Sequence, residues 1–385
     1  MMTGAFPIEK IKQLETPFYY YDVALLRQTL TNLSEESKKF GYHIHYAVKA
    51  NSNPRILSII HEYGLGADCV SGGEIQAALD AGFPASSIVF AGVGKADWEI
   101  NLGLDQDIFC FNVESIPELS VIDELAKKKN KIASVALRIN PEIDAHTHHH
   151  ITTGMKENKF GINLSQLDEV LLHLQRCTAV RLIGIHFHIG SQILDMEVFQ
   201  QLCKRLGDIL HFLGDRKIVV ENINFGGGLG IDYDHPEQHP VPDFGSYFEV
   251  FHRHFHPQPN QQVHFEPGRS VVGQCGSLIS KVLYMKEGSS KKFAILDAGF
   301  TELIRPALYE ASHKIENITS DASQEKYDVV GPICESSDCF GKDVSLNQVN
   351  RGDFIAIRSA GAYGEVMAMQ YNCRKLPKAY FSDLI

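Results

Sequence analysis

Between about residue 26 and residue 272, short runs of β-branched and aromatic residues alternate with longer stretches in which apolar residues return every three or four positions. The short runs read as strands: IHYAVK (44–49), GADCV (66–70), IVFAG (88–92), IFCF (108–111), SVALRIN (134–140), RLIGIHFHIG (181–190), NINFGGG (222–228) and QVHFEPG (262–268). Stretches such as GGEIQAALDAG, SIPELSVIDELAKKK and LSQLDEVLLHLQR predict amphipathic helices between them. Strand and helix in alternation is the pattern of a parallel sheet. Eight strands in this length predict a closed (β/α)8 barrel in preference to an open doubly wound sheet.

After about residue 272 the pattern changes. SLISKVLYMKE, KKFAILDAG, KYDVVGPIC and GDFIAIRSAGAYG are β-rich runs separated by Gly, Asp and Ser turns, which predicts a second, mainly antiparallel β domain. FYYYD (18–22) is rich in strand-forming aromatics and precedes the first helix of the barrel. It is expected to pair with the C-terminal β domain, giving a barrel over 26–272 and a β domain built from 1–25 and 273–385.

Polar residues fall at one end of the predicted strands: Lys49, Asp68, Asn112, Asn140, His188, the glycines 226–228 and Glu266 sit at or just past the C-terminal ends. In a (β/α)8 barrel those ends form the active-site face. The 385 residues are 44% hydrophobic and 22% charged, the make-up of a globular protein with an ample core. A formal net charge of −11 argues against a nucleic-acid or anionic-membrane surface. The first residues lack the pattern of a secretory signal and no long apolar stretch is present, so the expected location is cytoplasmic. Eight scattered cysteines without a CxxC pair speak against disulfides and a zinc site.

Lysine is seldom buried unless paired or chemically used, which singles out Lys49 at the end of an apolar run. NFGGGLGI (224–231) exposes backbone amides with no side chain in the way, a nest suited to phosphate, although a tight turn without a ligand explains the glycines equally well. HFEPGRSVVG (264–273) ends the eighth strand with Glu266, a Pro-Gly turn and Arg269; taken alone, the two charges also fit a local ion pair. In GIHFHIGSQ (184–192), His188 lies nearest the strand end, where it could stack on a planar cofactor, with Ser191 near a phosphate. A lysine amine for covalent attachment, a phosphate nest, a flat-faced histidine and a carboxylate to keep a pyridine nitrogen protonated are together the parts that pyridoxal phosphate requires. DAHTHHHITTG (144–154) invites a metal reading, but consecutive loop histidines rarely have the supporting partners of a dedicated site, so no metal is expected.

YAVKAN, SGGE, KFGI, HFHIGSQ, GGGLGI, EPGRS, DAG, IRPALYEA, GPICESSD and GAYG occur in this order and resemble the fold-type III pyridoxal-phosphate decarboxylases over nearly the whole chain. IRPALYEA and GPICESSD resemble most specifically the branch that acts on diaminopimelate. The resemblance implies that Lys49 carries the cofactor, that His188 stacks on its ring and that Glu266 pairs with its ring nitrogen. Asp68 falls among the cofactor residues, with Ser191, Gly227, Gly228, Gly268 and Arg269 around the phosphate. Arg269, Arg305, Tyr309 and Glu335 resemble substrate contacts, Cys334 the acid that returns a proton to the α-carbon, and Tyr363 a residue touching both cofactor and substrate. In that family Cys334, Glu335 and Tyr363 reach the site from a partner subunit, which implies a homodimer with shared sites. The implied reaction is conversion of meso-2,6-diaminopimelate to L-lysine and carbon dioxide, the last step of lysine biosynthesis.

Diaminopimelate carries an ammonium and a carboxylate at its far end, and Arg305 with Glu335 would answer both. The nearest rival is a sister decarboxylase acting on carboxynorspermidine or a basic amino acid, with the same cofactor residues and a different distal pocket. A catalytically dead binding protein and a racemase are further alternatives; the joint presence of Lys49, Glu266 and Cys334 speaks against the first, and Glu266 against the second.

Overall fold

The computed structural model describes residues 6–143 and 159–385, so the whole of the histidine-rich stretch 144–154 and the start of the chain lie outside the described residues. The chain divides into two units. One comprises Leu30–Gly230 with Asp243–Gly268; the other runs to Thr29 and takes up Ile231–Pro242 and Arg269–Ile385.

In the first unit eight parallel strands close on themselves: His43–Ala47, Gly66–Cys69, Ile88–Phe90, Cys110–Val113, Ala133–Asn140, Val180–His186, Asn222–Asn224 and Gln262–Phe265. The eighth returns to the first through His264 opposite His43 and Phe265 opposite Ile44. Each strand corresponds to one of the runs legible in the sequence, but six of them, the first, second, third, sixth, seventh and eighth, stop earlier than those runs. The first ends at Ala47 and passes into a 3₁₀ turn, Val48–Ala50; the sixth ends at His186 and the seventh at Asn224. Lys49, His188 and the glycines therefore lie beyond the ladder, where the backbone is no longer committed to strand pairing.

Alternation along the eighth strand explains both its faces. Phe265 points outward into an aromatic cluster, with ring centroids 4.8 Å from Phe251, 5.1 Å from Phe248 and 5.5 Å from Phe225. The helix Phe244–His254 supplies two of these rings; its buried residues Phe244, Tyr247, Phe248 and Phe251 recur at three- and four-residue spacing, and Asp243 caps it by accepting from the Ser246 amide. His264 and Glu266, the positions to either side of Phe265, are also buried, on the opposite face. That face is the barrel interior.

In the second unit the long strand Gly276–Glu287 pairs antiparallel with Phe18–Tyr21, Lys292–Leu296 and Phe354–Ile357. Two pairings are parallel: Lys292–Leu296 with Gln324–Val330, and Phe18–Tyr21 with Lys378–Phe381. The sheet is thus mixed, with antiparallel pairs in the majority. Phe18–Tyr21 is buried at all four positions, which is why an unbroken aromatic run suits it. The sequence pattern does not reveal Cys339–Asn347, because that strand closes one end of the sheet path and carries the exposed residues Lys342, Asp343 and Ser345. Among the described residues no helix is long and apolar enough to cross a membrane.

Candidate active site

The turn that carries Lys49 is fixed from both sides. Tyr46, fully buried in the strand before it, donates its hydroxyl to the Asn51 carbonyl at 2.9 Å, and the Ala47 amide donates to the Pro267 carbonyl at 3.1 Å. A Cβ on Gly268 would meet Ala47 and Ala50 at 3.0 Å, so that glycine allows the Pro-Gly turn to pack against the lysine turn. Asn53 then caps the next helix by accepting from the Arg55 amide, and Pro54 opens it. In this way YAVKANSNP presents one side chain from a rigid bend. The Lys49 side chain keeps 35% of its exposure, so it is half-buried and not the enclosed charge its apolar neighbours suggest. Its amine lies 4.0 Å from Oδ2 of the buried Asp68. Burial and then the charge of Glu266 push the Asp68 carboxyl well up, against the pull of Lys49, and its Oδ1 has no hydrogen-bond partner among the described residues.

Glu266 is held inside the barrel by three strands. His186 Nε2 donates to its Oε2 at 2.8 Å, while Asn224 and Asn112 donate to its Oε1 at 2.6 and 3.4 Å. Burial by itself would raise the carboxyl, but the charge and hydrogen bond of His186, with the fields of His45 and Lys49, outweigh it and bring it down to about 2. Glu266 is therefore an ionised carboxylate at neutral pH. Within its unit it is the partner of His186, not one half of a surface ion pair. His188 behaves differently: burial, then the positive charges of Lys49 and Arg138, hold it well below the ordinary histidine value, leaving a neutral flat ring.

The glycine run answers to two demands. A Cβ on Gly226 would stand 2.1 Å from the Phe187 carbonyl and one on Gly227 2.3 Å from the Glu266 carbonyl, so close approach of neighbouring loops already requires glycine there. The Gly226 amide is taken by Asn224 Oδ1 at 2.8 Å. The amides of Gly227 and Gly228 have no protein acceptor among the described residues, and Gly228 sits at φ +121°. The Ser191 loop joins this one: Ile193 donates to the Gly228 carbonyl at 2.9 Å and accepts from the Gly230 amide at 3.0 Å. Ser191, Gly227 and Gly228 thus belong to two laced loops at the ends of adjacent strands.

In the second unit, Arg269 and Arg305 are buried. Arg269 Nη1 donates to the Tyr233 hydroxyl at 2.5 Å, and its guanidinium lies 5.0 Å from the ring centre of Tyr363. Tyr363 holds φ +57°, an uncommon conformation for an aromatic residue that fixes where its ring is presented. Arg305 opens the short helix Arg305–Tyr309, with Pro306 in its first turn, and its guanidinium lies 5.0 Å from the Tyr233 ring centre. Arg305 Nη1 donates to His313 Nε2 at 2.8 Å. Burial and the neighbouring Arg269 charge both pull Arg305 down. Tyr309 is half-buried; Cys334 and Glu335 are exposed, and Glu335 accepts from the Tyr371 hydroxyl at 2.9 Å.

Sequence reasoning did not anticipate the partners of the two buried charges. His186, Asn112 and Asn224 reach Glu266 from three separate strands; the available signal was a polar residue at an otherwise apolar strand end. Tyr233 lies in an irregular segment and His313 after a short helix, and neither stands in a run that patterning would single out. Among the described residues no group of three or more His, Cys, Asp or Glu side chains is arranged to hold a metal ion.

A parallel barrel with a lysine in the turn after its first strand and an ionised carboxylate after its eighth defines a class of enzyme, and the comparison with known families agrees. Residues 26–273 match the family model described as pyridoxal-dependent decarboxylase, pyridoxal binding domain, and the chain belongs to this family. Within it, the chain is 64% identical over 383 residues to the diaminopimelate decarboxylase of Bacteroides thetaiotaomicron, covering 99% of each. It is also similar to a crystal structure of diaminopimelate decarboxylase from Helicobacter pylori complexed with L-lysine, with TM-score 0.90 and 41% identity, covering 97% of this chain and 93% of the other. The diaminopimelate decarboxylase from m. jannaschii in complex with L-lysine is similar as well, at TM-score 0.90 and 34% identity over 99% and 90% of the two chains.

The residues present fit pyridoxal phosphate. Asp68, whose Oδ2 faces the lysine amine and whose Oδ1 has no hydrogen-bond partner among the described residues, the two open glycine amides and the ionised Glu266 are each the donor or acceptor such a cofactor needs.

Proposed function

We propose that the chain decarboxylates meso-2,6-diaminopimelate to L-lysine and carbon dioxide with pyridoxal phosphate. The observation that carries the choice of substrate is Arg305, a buried guanidinium whose partners are His313 and Tyr233, with no carboxylate in ion-pair distance among the described residues. A substrate with a carboxylate at its far end supplies the missing charge; a diamine-forming substrate would leave it uncompensated. The naming of the similar proteins points the same way.

When bound, the cofactor supplies an electron-withdrawing ring that accepts the electron pair left as carbon dioxide departs. In this reading Lys49 holds it covalently, Ser191, Gly227, Gly228, Gly268 and Arg269 hold its phosphate, and neutral His188 lies against its face. Asp68 stands by the lysine amine. Glu266 presents a permanent negative charge to the ring nitrogen and keeps a proton there, because His186 and two amides hold the carboxylate ionised. Arg305, Tyr309 and Glu335 bind the distal end of the substrate, with Tyr363 and Arg269 shared between substrate and cofactor. Cys334 returns the proton to the α-carbon.

The exposure of Cys334 and Glu335 supports their donation to a second copy of the chain, hence a homodimer in which the β unit contributes substrate and dimer contacts. Eight free thiols support a cytoplasmic location. The test is incubation of the purified protein and pyridoxal phosphate with meso-diaminopimelate, ornithine and carboxynorspermidine in turn, measuring carbon dioxide and product. Lysine should form from the first alone; carbon dioxide from either of the others in its place would overturn the substrate. In the Lys49→Ala protein the absorbance band of covalently held cofactor should be lost.

A further inference from the structure

His313 lies outside every role assigned above, yet its hydrogen bonds leave it one state. Its Nδ1 faces the Arg358 carbonyl at 2.8 Å, and a carbonyl can only accept, so Nδ1 carries the hydrogen. Its Nε2 faces Arg305 Nη1 at 2.8 Å, and a guanidinium can only donate, so Nε2 must offer a lone pair. The neutral tautomer with hydrogen on Nδ1 satisfies both; a protonated ring would break the contact with Arg305. Burial, then the charge of Arg305, bring His313 down to about 3 in spite of its backbone bond, so neutral pH does not disturb that state. The Tyr233 ring meets it edge-on, with centroids 5.1 Å apart at 84°, and fixes its plane.

The chemistry of this partner matters as much as its position. A carboxylate at residue 313 would orient Arg305 equally well, but it would also neutralise it. A neutral imidazole aims the guanidinium and leaves its whole charge for a ligand. Tyr233 acts in the same sense, since it is uncharged and touches both Arg305 and Arg269. The result is two buried guanidiniums held beside one another by neutral groups, an arrangement relieved by an incoming anion.

We propose that His313 is a positioning residue for the distal carboxylate of the substrate: a charge-neutral acceptor that aims Arg305 without cancelling it. The proposal rests on the reading of Arg305 as the distal-carboxylate contact. Only one carboxylate leaves in the reaction, so the carboxylate of L-lysine is the distal one, and 1,5-diaminopentane is the same skeleton without it. These two ligands isolate the interaction from everything else in the site.

The experiment measures kcat and KM for meso-diaminopimelate, and the affinities of L-lysine and 1,5-diaminopentane, in holoenzyme carrying His313→Gln, His313→Glu or His313→Leu. Gln keeps a neutral acceptor and should stay near the native values. Glu keeps the acceptor but adds charge, and Leu removes the acceptor. Each of these should raise KM and weaken L-lysine by about 10- to 100-fold while leaving 1,5-diaminopentane and kcat within a few-fold. If the native enzyme does not prefer L-lysine to the diamine, the reading of Arg305 fails. If it does, and the Glu protein binds L-lysine as tightly as the Gln protein, the role given to His313 is overturned while that of Arg305 stands. Equal weakening of both ligands in the Glu protein also overturns it, as a structural defect. The Gln and Glu pair decides the matter even if the Leu protein does not fold.

Discussion

Two buried charges of opposite sign are kept in this chain by opposite means. Glu266, in the barrel, is surrounded by donors: an imidazole that can carry positive charge and two side-chain amides. Arg305, in the β unit, has neutral partners, an imidazole locked as an acceptor and a phenol ring. The carboxylate is stabilised as an ion by the protein itself, whereas the guanidinium is left in want of a counter-charge. The difference separates a group that must hold one charge state through a reaction from a group that must bind what arrives.

That contrast can be broken at either end. The largest effect is expected from His186→Leu, which leaves Glu266 a buried carboxylate without its imidazole donor; chemical denaturation should show a loss of about 3–5 kcal/mol. Next is Glu266→Gln, which keeps the shape and removes the charge. Decarboxylation should fall by about 10²- to 10³-fold, as it does when one electrostatic group is deleted from an active site, while denaturation shifts far less than in His186→Leu. Arg305→Lys should act on binding alone, raising KM about tenfold with kcat little changed, because an ammonium cannot reach His313 and a carboxylate in the fixed geometry of a guanidinium.

The smallest effect is a slope. Glu266 has a folded value of about 2 against an ordinary 4.5, so it contributes stability that is present above pH 4.5 and is lost as pH falls toward 2. Unfolding curves over that window should be measurably flatter in Glu266→Gln; an unchanged slope would mean that the carboxylate is not held ionised.

The sequence was most informative where a strand crosses from core to opening. The eight barrel strands are apolar within and polar at one end, so Lys49, Asp68, His188 and Glu266 could be picked out by position alone. It was least informative where a contact joins residues that share no periodic element. Nothing in FEPG indicates that His186, Asn112 and Asn224 will converge on Glu266, since closure of the barrel creates those neighbours. His186 and His188 show the same limit: both stand in GIHFHIGSQ, and nothing in that run indicates that His186, at the strand end, meets Glu266 while His188 follows the strand. In the β unit, Arg305 was legible from IRPALYEA by resemblance, and its partners were not.

The strand Phe18–Tyr21 lies between Gly276–Glu287 on one side and Lys378–Phe381 on the other. Tyr21 even accepts through its carbonyl from the Ser382 amide, at 2.9 Å. During synthesis this early segment must therefore wait for Gly276–Glu287 before its first neighbour is available and for nearly the whole chain before its second, whereas successive barrel strands find theirs a few dozen residues on. Its four aromatic residues would be uncovered throughout that interval. Of all the sequence, this is the stretch on which a nascent-chain chaperone would have longest to act.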